Sequence, residues 1–308
     1  MTNPSFRCVF CGGQHCAIKY SFESVETQIV QCKKCDLMVL SPLPSHEDLL
    51  KVYDENYFSN ADLVGRDIRA IYGYSDYISE RYNKQKAYSG ICRRITQFLK
   101  FGKGYRPRLM DYGCGLGHFI DAAYDFGFSV EGVEFNPYAI EYIRRRYTYP
   151  ILHSSAWERR HPREGLYDVI TLFDVIEHLR DPLQLIRAAA QSLKPGGLIV
   201  ISTMDSRSLT SRLLGKRLED FRRIREHLFF FSKSNLTRIL ATHGFETLHV
   251  ETLGHTFEVK HLVARINATF PVIGAIPHLA LKVLPVLGRM NVYINPRTKI
   301  ILYARKKA

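Results

Sequence analysis

One stretch, residues 108–140 (RLMDYGCGLGHFIDAAYDFGFSVEGVEFNPYAI), constrains this chain more than any other. An apolar run ends in Asp111. Three glycines follow at alternate positions (Gly113, Gly115, Gly117), then a helical pattern, then a second strand-like run ending in Glu134. Strand, glycine turn, helix, strand and acid is the order that builds a nucleoside-cofactor site at the carboxyl edge of a parallel sheet. The glycines let backbone approach a ligand with no Cβ between them. Glu134 is placed to accept hydrogen bonds from both hydroxyls of a ribose.

The turn reads D-x-G-x-G-x-G, whereas dinucleotide sites read G-x-G-x-x-G. An acid before the first glycine would repel a pyrophosphate. It suits a cationic ligand, such as a sulfonium carrying an α-amino group. Another Rossmann protein with a nucleotide ligand is the competing reading of these residues.

With these residues in view, DYGCGLGHFI resembles motif I of class I S-adenosylmethionine (SAM) methyltransferases, and GVEFNPYAI resembles their motif II, with Glu134 as the ribose acid. YDVITLFDVIEHLRDP and LKPGGLIVIS resemble their fourth and fifth strand regions. The resemblance implies an α/β, Rossmann-like, seven-stranded core that binds SAM. It places Asp111, Gly113, Cys114, Gly115, Glu134 and Phe135 around the cofactor. It also places Ser155, Ala156 and Trp157 along the adenine, and Leu172 and Phe173 beside the methionine part. Cys114 reads as a small filler inside the turn.

The amino-terminal residues 1–44 form a separate unit. Cys8-x-x-Cys11 and Cys32-x-x-Cys35 stand twenty residues apart. Paired knuckles of this kind close a tetrahedral four-thiolate zinc site, and an all-cysteine set leaves no open position for chemistry. The zinc is therefore expected to be structural, since so short a segment could hardly fold alone without it. His15 and Cys16 fall outside the paired spacing. The run CKKCDLMVLSPLPS, continuing into HEDLLKVYDENYF, resembles the start of a group of SAM methyltransferases common in surface-polysaccharide and secondary-metabolite pathways, with Asp36 and Ser41 in place of the group's glycine and asparagine. That resemblance implies a small-molecule, sugar-like acceptor.

Residues 45–105 read as a helical cap rich in tyrosine, Tyr57 being a candidate to lie over the cofactor. Residues 106–308 read as the SAM-binding core, with strands at 108–112, 130–134, 167–173, 198–203, 245–252 and 298–305. Helices are expected at 117–126, 136–146, 181–193 and 208–217, and another opened by a Ser232 cap, with Lys194-Pro-Gly-Gly197 ending the third of them. The last two strands are expected as an antiparallel pair. Between them lies an apolar, helical insert, 253–297, broken by Pro271, Pro277 and Pro285. Three uses stay open for it: packing on the core, a homodimer interface, or peripheral membrane contact through 263–290.

The 308-residue chain carries a formal charge of +13. Such a balance invites nucleic acid, an anionic membrane surface or phosphorylated substrates. Short clusters such as Arg144-Arg145-Arg146 read as solvated faces, and no basic-aromatic motif is present, so nucleic acid is not the expected partner. The polar start MTNPSFRCVF lacks a signal-peptide pattern and no apolar run reaches spanning length, so a cytoplasmic location, optionally peripheral at the inner membrane surface, is expected.

Methyl transfer is an in-line displacement at the sulfonium methyl group. The protein aligns the nucleophile and, for a hydroxyl, helps to remove its proton. Two histidines are the candidates: His178 in D-V-I-E-H-L, just past the fourth strand, and His227 in E-H-L-F-F-F-S. Asp174, Glu177 and His178 also resemble the divalent-metal cluster of some quinone-ring and RNA-end methyltransferases, and at helical spacing the three share a face. An RNA methyltransferase and a non-catalytic zinc-ribbon interaction protein with a retained SAM fold are the competing readings.

Overall fold

In the computed structural model the described residues are 6–22, 26–52, 80–102, 104–159, 164–269, 277 and 285–308. Tyr57 and most of the apolar insert lie outside them.

The central sheet grows from alternating strand and helix. Arg108–Tyr112 (β4), Ser129–Glu134 (β5), Ile151–His153 (β6), Tyr167–Phe173 (β7) and Leu193–Met204 (β8) run parallel. Phe245–Thr252 (β10) and Lys299–Lys306 (β13) complete seven strands in the order β10-β13-β8-β7-β4-β5-β6. β13 runs antiparallel to both of its neighbours, so the expected antiparallel pair is present. The strand order turns back between β4 and β7, which opens a crevice at their carboxyl ends.

Local chemistry starts the helices where the sequence predicts. Asn136 caps Pro137–Arg146 (α4): its side chain accepts from the Tyr138 and Ala139 amides at 2.9 and 3.3 Å, and proline takes the first turn. Asp181 caps Pro182–Ser192 (α6) through the Gln184 amide at 2.9 Å. Ser232 and Asn235 form a capping box on Lys233–Thr242 (α9), which follows the short helix Glu219–Arg222 (α8). One boundary differs. The helix α6 ends at Ser192, and Lys194-Pro-Gly-Gly197 lies within β8, not at a helix end. The β7–β8 register shifts there, pairing Tyr167 with Leu193 but Val169 with Leu198, so the extra residues are taken up as an irregularity of the strand.

Helices cover both faces of the sheet. On one, Ile91 and Ile95 of Glu80–Leu99 (α2) pack with Phe119 and Ile120 of His118–Asp125 (α3) and with Ile143 of α4. On the other, Leu185 and Ile186 of α6 and Leu236 and Ile239 of α9 share one core with Leu37, Met38 and Leu40 of the amino-terminal unit.

That unit is a sheet of Cys16–Ser21 (β1), Gln28–Cys32 (β2) and Met38–Ser41 (β3), followed by a short helix, His46–Val52 (α1). Its fourth strand, Phe229–Phe230 (β9), comes from the core: Met38 pairs with Phe230 and Val39 with Phe229. The insert begins and ends in strands. His255–Glu258 (β11) and Asn291–Ile294 (β12) form an antiparallel stem, with helix Val259–Thr269 (α10) and a 3₁₀ turn, Pro285–Arg289, inside it. Among the described residues no helix is long and apolar enough to cross a membrane.

Candidate active site

The glycine turn leaves β4 at Tyr112 and folds back under the end of β5. Gly113 donates to the Val133 carbonyl at 2.7 Å, with φ +77°. A Cβ on Gly113 would stand 2.3 Å from Val175 Cγ2, so the missing side chain lets the loop after β7 close onto the turn. Gly132, opposite Asp111 in the sheet, likewise leaves room for Cys114 and Ile120. Cys114 is buried there, which agrees with its reading as a filler.

Two acids sit at this edge, both buried. Thr171 Oγ1 donates to Asp111 Oδ1 at 2.6 Å. Burial, reinforced by nearby Glu134, pushes the Asp111 carboxyl up to about 7, against the pull of Thr171. Glu134 fastens the site together. Its Oε1 accepts from the amides of Phe135 and Asn136 at 2.7 and 2.9 Å, and its Oε2 accepts from Gly115 at 2.7 Å. Burial raises its pKa too. Three of the roughly four lone-pair positions of a carboxylate are thus engaged by backbone.

Around them, Phe135 lies against His153 with ring centroids 5.7 Å apart. Ser155, Ala156 and Trp157 fall in a short helix after β6, Ser154–Arg159 (α5), where Ser155 Oγ and His153 Nδ1 are 2.8 Å apart. Trp157 is buried edge-on against Tyr112 at 5.2 Å. Leu172 is fully buried in the sheet, whereas Phe173 is half-buried between Phe119 at 4.6 Å and Tyr88 of α2 at 6.5 Å.

The two histidines chosen from sequence come together. Their rings lie 4.8 Å apart and nearly perpendicular. His178 ends a 3₁₀ turn, Ile176–His178, directly after β7. His227 is brought beside it because the Leu228 amide donates to the Glu177 carbonyl at 2.8 Å. His178 Nδ1 is 3.0 Å from the Glu226 carbonyl and His227 Nδ1 is 3.0 Å from the Asp220 carbonyl. A carbonyl only accepts, so each Nδ1 carries the proton and the Nε2 of each neutral ring is unprotonated. Burial and Arg223 lower both pKa values, that of His178 to about 4.

Glu177 completes the group. One side-chain atom from each of Glu177, His178 and His227 lies within 4.8 Å of the others. Burial, then Asp174, pushes the Glu177 carboxyl up to about 8, and its buried Oε2 has no hydrogen-bond partner. Asp174 does not join the cluster on the expected shared face. Its backbone is left-handed at φ +56°, and its side chain accepts from Ser202 and pairs with Lys299. His227 takes the third position. Sequence spacing could not show this, because His227 comes from a loop after the next strand.

The second cluster is the cysteine set. Cys8 and Cys35 sulfurs are 3.6 Å apart and those of Cys11 and Cys32 are 3.5 Å apart. All four sulfurs lie within 4.8 Å of one another. These spacings are too long for disulfides and near the ~3.8 Å edge of a tetrahedron with 2.3 Å zinc–sulfur bonds. The knuckles match: Gly12 and Asp36 each follow the second cysteine with φ +65° and +62°, and each amide donates to the first cysteine's carbonyl at 2.9 Å. The group's usual glycine at Asp36 is explained by that left-handed backbone. Cys16 and His15 are outside the cluster among the described residues.

A family model described as "Methyltransferase domain" matches residues 82–250, more than half of the chain. This chain belongs to the class I SAM-dependent methyltransferases. Curated relatives share part of its length. The ubiquinone biosynthesis O-methyltransferase of Thiobacillus denitrificans is 27% identical over 174 residues, 52% of this chain and 73% of the relative. That of Idiomarina loihiensis is 32% identical over 41% of this chain and 51% of the relative. A probable SAM-dependent methyltransferase of Mycolicibacterium smegmatis is 31% identical over 47% and 54%. The last two matches span about half of those relatives' length. Among solved structures, a Burkholderia thailandensis 1,6-didemethyltoxoflavin-N1-methyltransferase bound to S-adenosylhomocysteine aligns with TM-score 0.51 and 12% identity, covering 94% of this chain and 99% of that one. The [4+2]-cyclase SpnF aligns with TM-score 0.50 and 17% identity, over 86% and 97%. These likenesses concern the fold, and the cyclase is a reminder that one fold carries several chemistries.

Proposed function

We propose that this chain transfers the methyl group of SAM to an oxygen of a small-molecule acceptor, with Glu177, His178 and His227 on the acceptor side. The carrying observation is the junction of Gly113 with Val175: it seats the start of the Glu177–His178–His227 turn directly on the glycine turn. Asp111 faces the cationic part of the cofactor, and Glu134 takes the ribose. To bind both ribose hydroxyls Glu134 must exchange one of its backbone bonds, because only about one lone-pair position is left. Ser155, Ala156 and Trp157 line the base, and Leu172 and Phe173 the methionine chain.

The acceptor is proposed as a sugar or glycan intermediate, on the resemblance of residues 32–58 to enzymes of such pathways. A quinone-type ring is the second reading, favoured by the names of the relatives. Incubating a cell extract with the protein and deuterium-labelled SAM, then finding the labelled product by mass spectrometry, separates the two. A labelled nitrogen or carbon would overturn the oxygen reading.

For the proton, His178 and His227 are the candidates. An imidazole with a pKa near 4 is neutral at working pH but a weak base. Two neutral imidazoles with carbonyl-bound Nδ1 atoms and one carboxylate are also a donor set for a divalent cation. The orphan Oε2 of Glu177 fits that use. Such an ion would polarise the acceptor hydroxyl. Either role predicts that His178→Ala or His227→Ala cuts turnover roughly 10²–10⁴-fold with SAM affinity nearly unchanged. Calorimetric titration with Mg²⁺, Mn²⁺ and Zn²⁺ divides the roles: a saturable site lost in Glu177→Gln assigns the metal, and no binding leaves the base.

The amino-terminal cysteines are proposed to hold one structural zinc. Elemental analysis of the purified chain should find it, and Cys32→Ser should lose about one zinc per chain.

A further inference from the structure

We infer that the end of the molecule bearing Leu209–Leu214 (α7) and the β11–β12 stem is a docking face for an anionic lipid bilayer. Leu209 and Leu213 are 71% and 74% exposed, and as i and i+4 of one helix they project from the same side. Thr210 of this helix donates to the Pro296 carbonyl at 2.7 Å, which fixes α7 beside the stem. The stem and its 3₁₀ turn expose Val286, Met290 and Tyr293.

Charge specifies the occupant. Between Asp205 and Glu219 the chain has four cations (Arg207, Arg212, Lys216, Arg217) and no acid; Arg207 is paired with Asp36 at 2.7 Å. From residue 259 to the end the chain has nine lysines and arginines and no acid; Lys260 pairs with Glu258 and Lys299 with Asp174, and Arg305 and Lys306 lie at the end of β13 away from the stem, so part of this excess belongs to the face. Single exposed apolar residues are ordinary on a soluble surface, but leucines flanked by an excess of cations over acids match a surface with anionic headgroups over hydrocarbon. A second copy of the chain would bring like charge against like. Nucleic acid would leave the leucines unused. No described helix can cross a membrane, so the contact is peripheral.

The test uses the full chain and sedimentation with vesicles of phosphatidylcholine alone or with 30% phosphatidylglycerol. Binding is expected only to the anionic vesicles, falling as salt rises. Leu209→Ser with Leu213→Ser should lower partitioning tenfold or more, and Arg212→Glu with Lys216→Glu should remove the preference for anionic lipid. Unchanged SAM affinity by calorimetry shows that each variant is folded, and the result does not depend on the acceptor proposed above. Failure of the wild type to bind anionic vesicles overturns the inference, as does full binding by the leucine variant. A dimer that dissociates on the same leucine changes, with no vesicle binding, assigns the face to a second copy, and RNA capture lost with the charge reversals assigns it to nucleic acid.

Discussion

At the scale of single residues, the acid before the glycines and the acid after the second strand work under opposite demands. Asp111 is buried, and that burial raises its carboxyl to about 7. In the folded chain it keeps a proton between its ordinary value and about 7. Its contribution to stability therefore declines as pH rises through that window. A cationic ligand reverses the preference. SAM affinity is accordingly expected to rise with pH up to about 7 and then level off, with a proton released on binding at pH 6; calorimetry in buffers of different ionisation enthalpy measures both. Asp111→Asn should bind more weakly at pH 8 and show no such slope. Glu134→Ala should cost about 1.5–3 kcal/mol of SAM binding, the usual worth of hydrogen bonds to a charged group. Unchanged affinity would remove Glu134 from the ribose. The placement of both acids beside the glycine turn was legible in the linear order of strand, turn and strand. What was not legible is their state: the lone pairs of Glu134 already given to Gly115, Phe135 and Asn136, and the pKa of Asp111, arise from burial that no local pattern encodes.

At the scale of elements, the strands and helices of the core were readable because their periodicities are long and their caps local, as at Asn136, Asp181 and Ser232. The elements that join parts of the chain were not. β9 is two phenylalanines within an apolar run, and only its partner β3, about 190 residues earlier, makes it a strand. The convergence of His227 on Glu177 has the same origin, since the Leu228 amide that makes it is distant in sequence from its acceptor. A further joint lies in α9. Asn235 Nδ2 and Arg238 Nη2 both donate to the Cys35 carbonyl, at 2.6 and 2.7 Å, and so brace the second cysteine knuckle from the core. Arg238→Ala should weaken this brace by about 1–2 kcal/mol, in the range for a hydrogen bond from a charged donor that is partly exposed. Hydrogen exchange should then quicken in β2 and β3 and stay unchanged in β4 and β5; equal quickening everywhere would mean that the arginine supports the whole fold instead.

At the scale of the molecule, the cysteine unit and the methyl-transfer core share one hydrophobic core and one sheet extension, but no strand of the glycine turn pairs with the cysteine unit. Leu37, Met38 and Leu40 lie in the same hydrophobic core as α6 and α9, and β3 extends into β9. The Leu40 amide donates to the Leu228 carbonyl at 2.9 Å, while the amide of the same Leu228 donates to Glu177 at 2.8 Å. One residue therefore connects the ribbon to the cluster proposed to meet the acceptor. The glycine turn, Asp111 and Glu134 are held by β4, β5 and β7, none of which pairs with the ribbon. Removing the proposed zinc should consequently affect the two halves of the reaction unequally. In Cys32→Ser, with the metal lost, the ribbon strands loosen and His227 loses the segment that fixes it against His178. Turnover should fall at least tenfold, on the scale expected when an acceptor-side group is misplaced. SAM affinity should stay within about twofold, because the strands that carry its proposed contacts do not pair with the ribbon. Parallel measurement of zinc content, SAM binding by calorimetry and turnover decides the matter. If SAM binding collapses together with turnover, the ribbon stabilises the fold as a whole; if turnover survives without zinc, the ribbon has no hold on the site, and the link through Leu228 is packing alone.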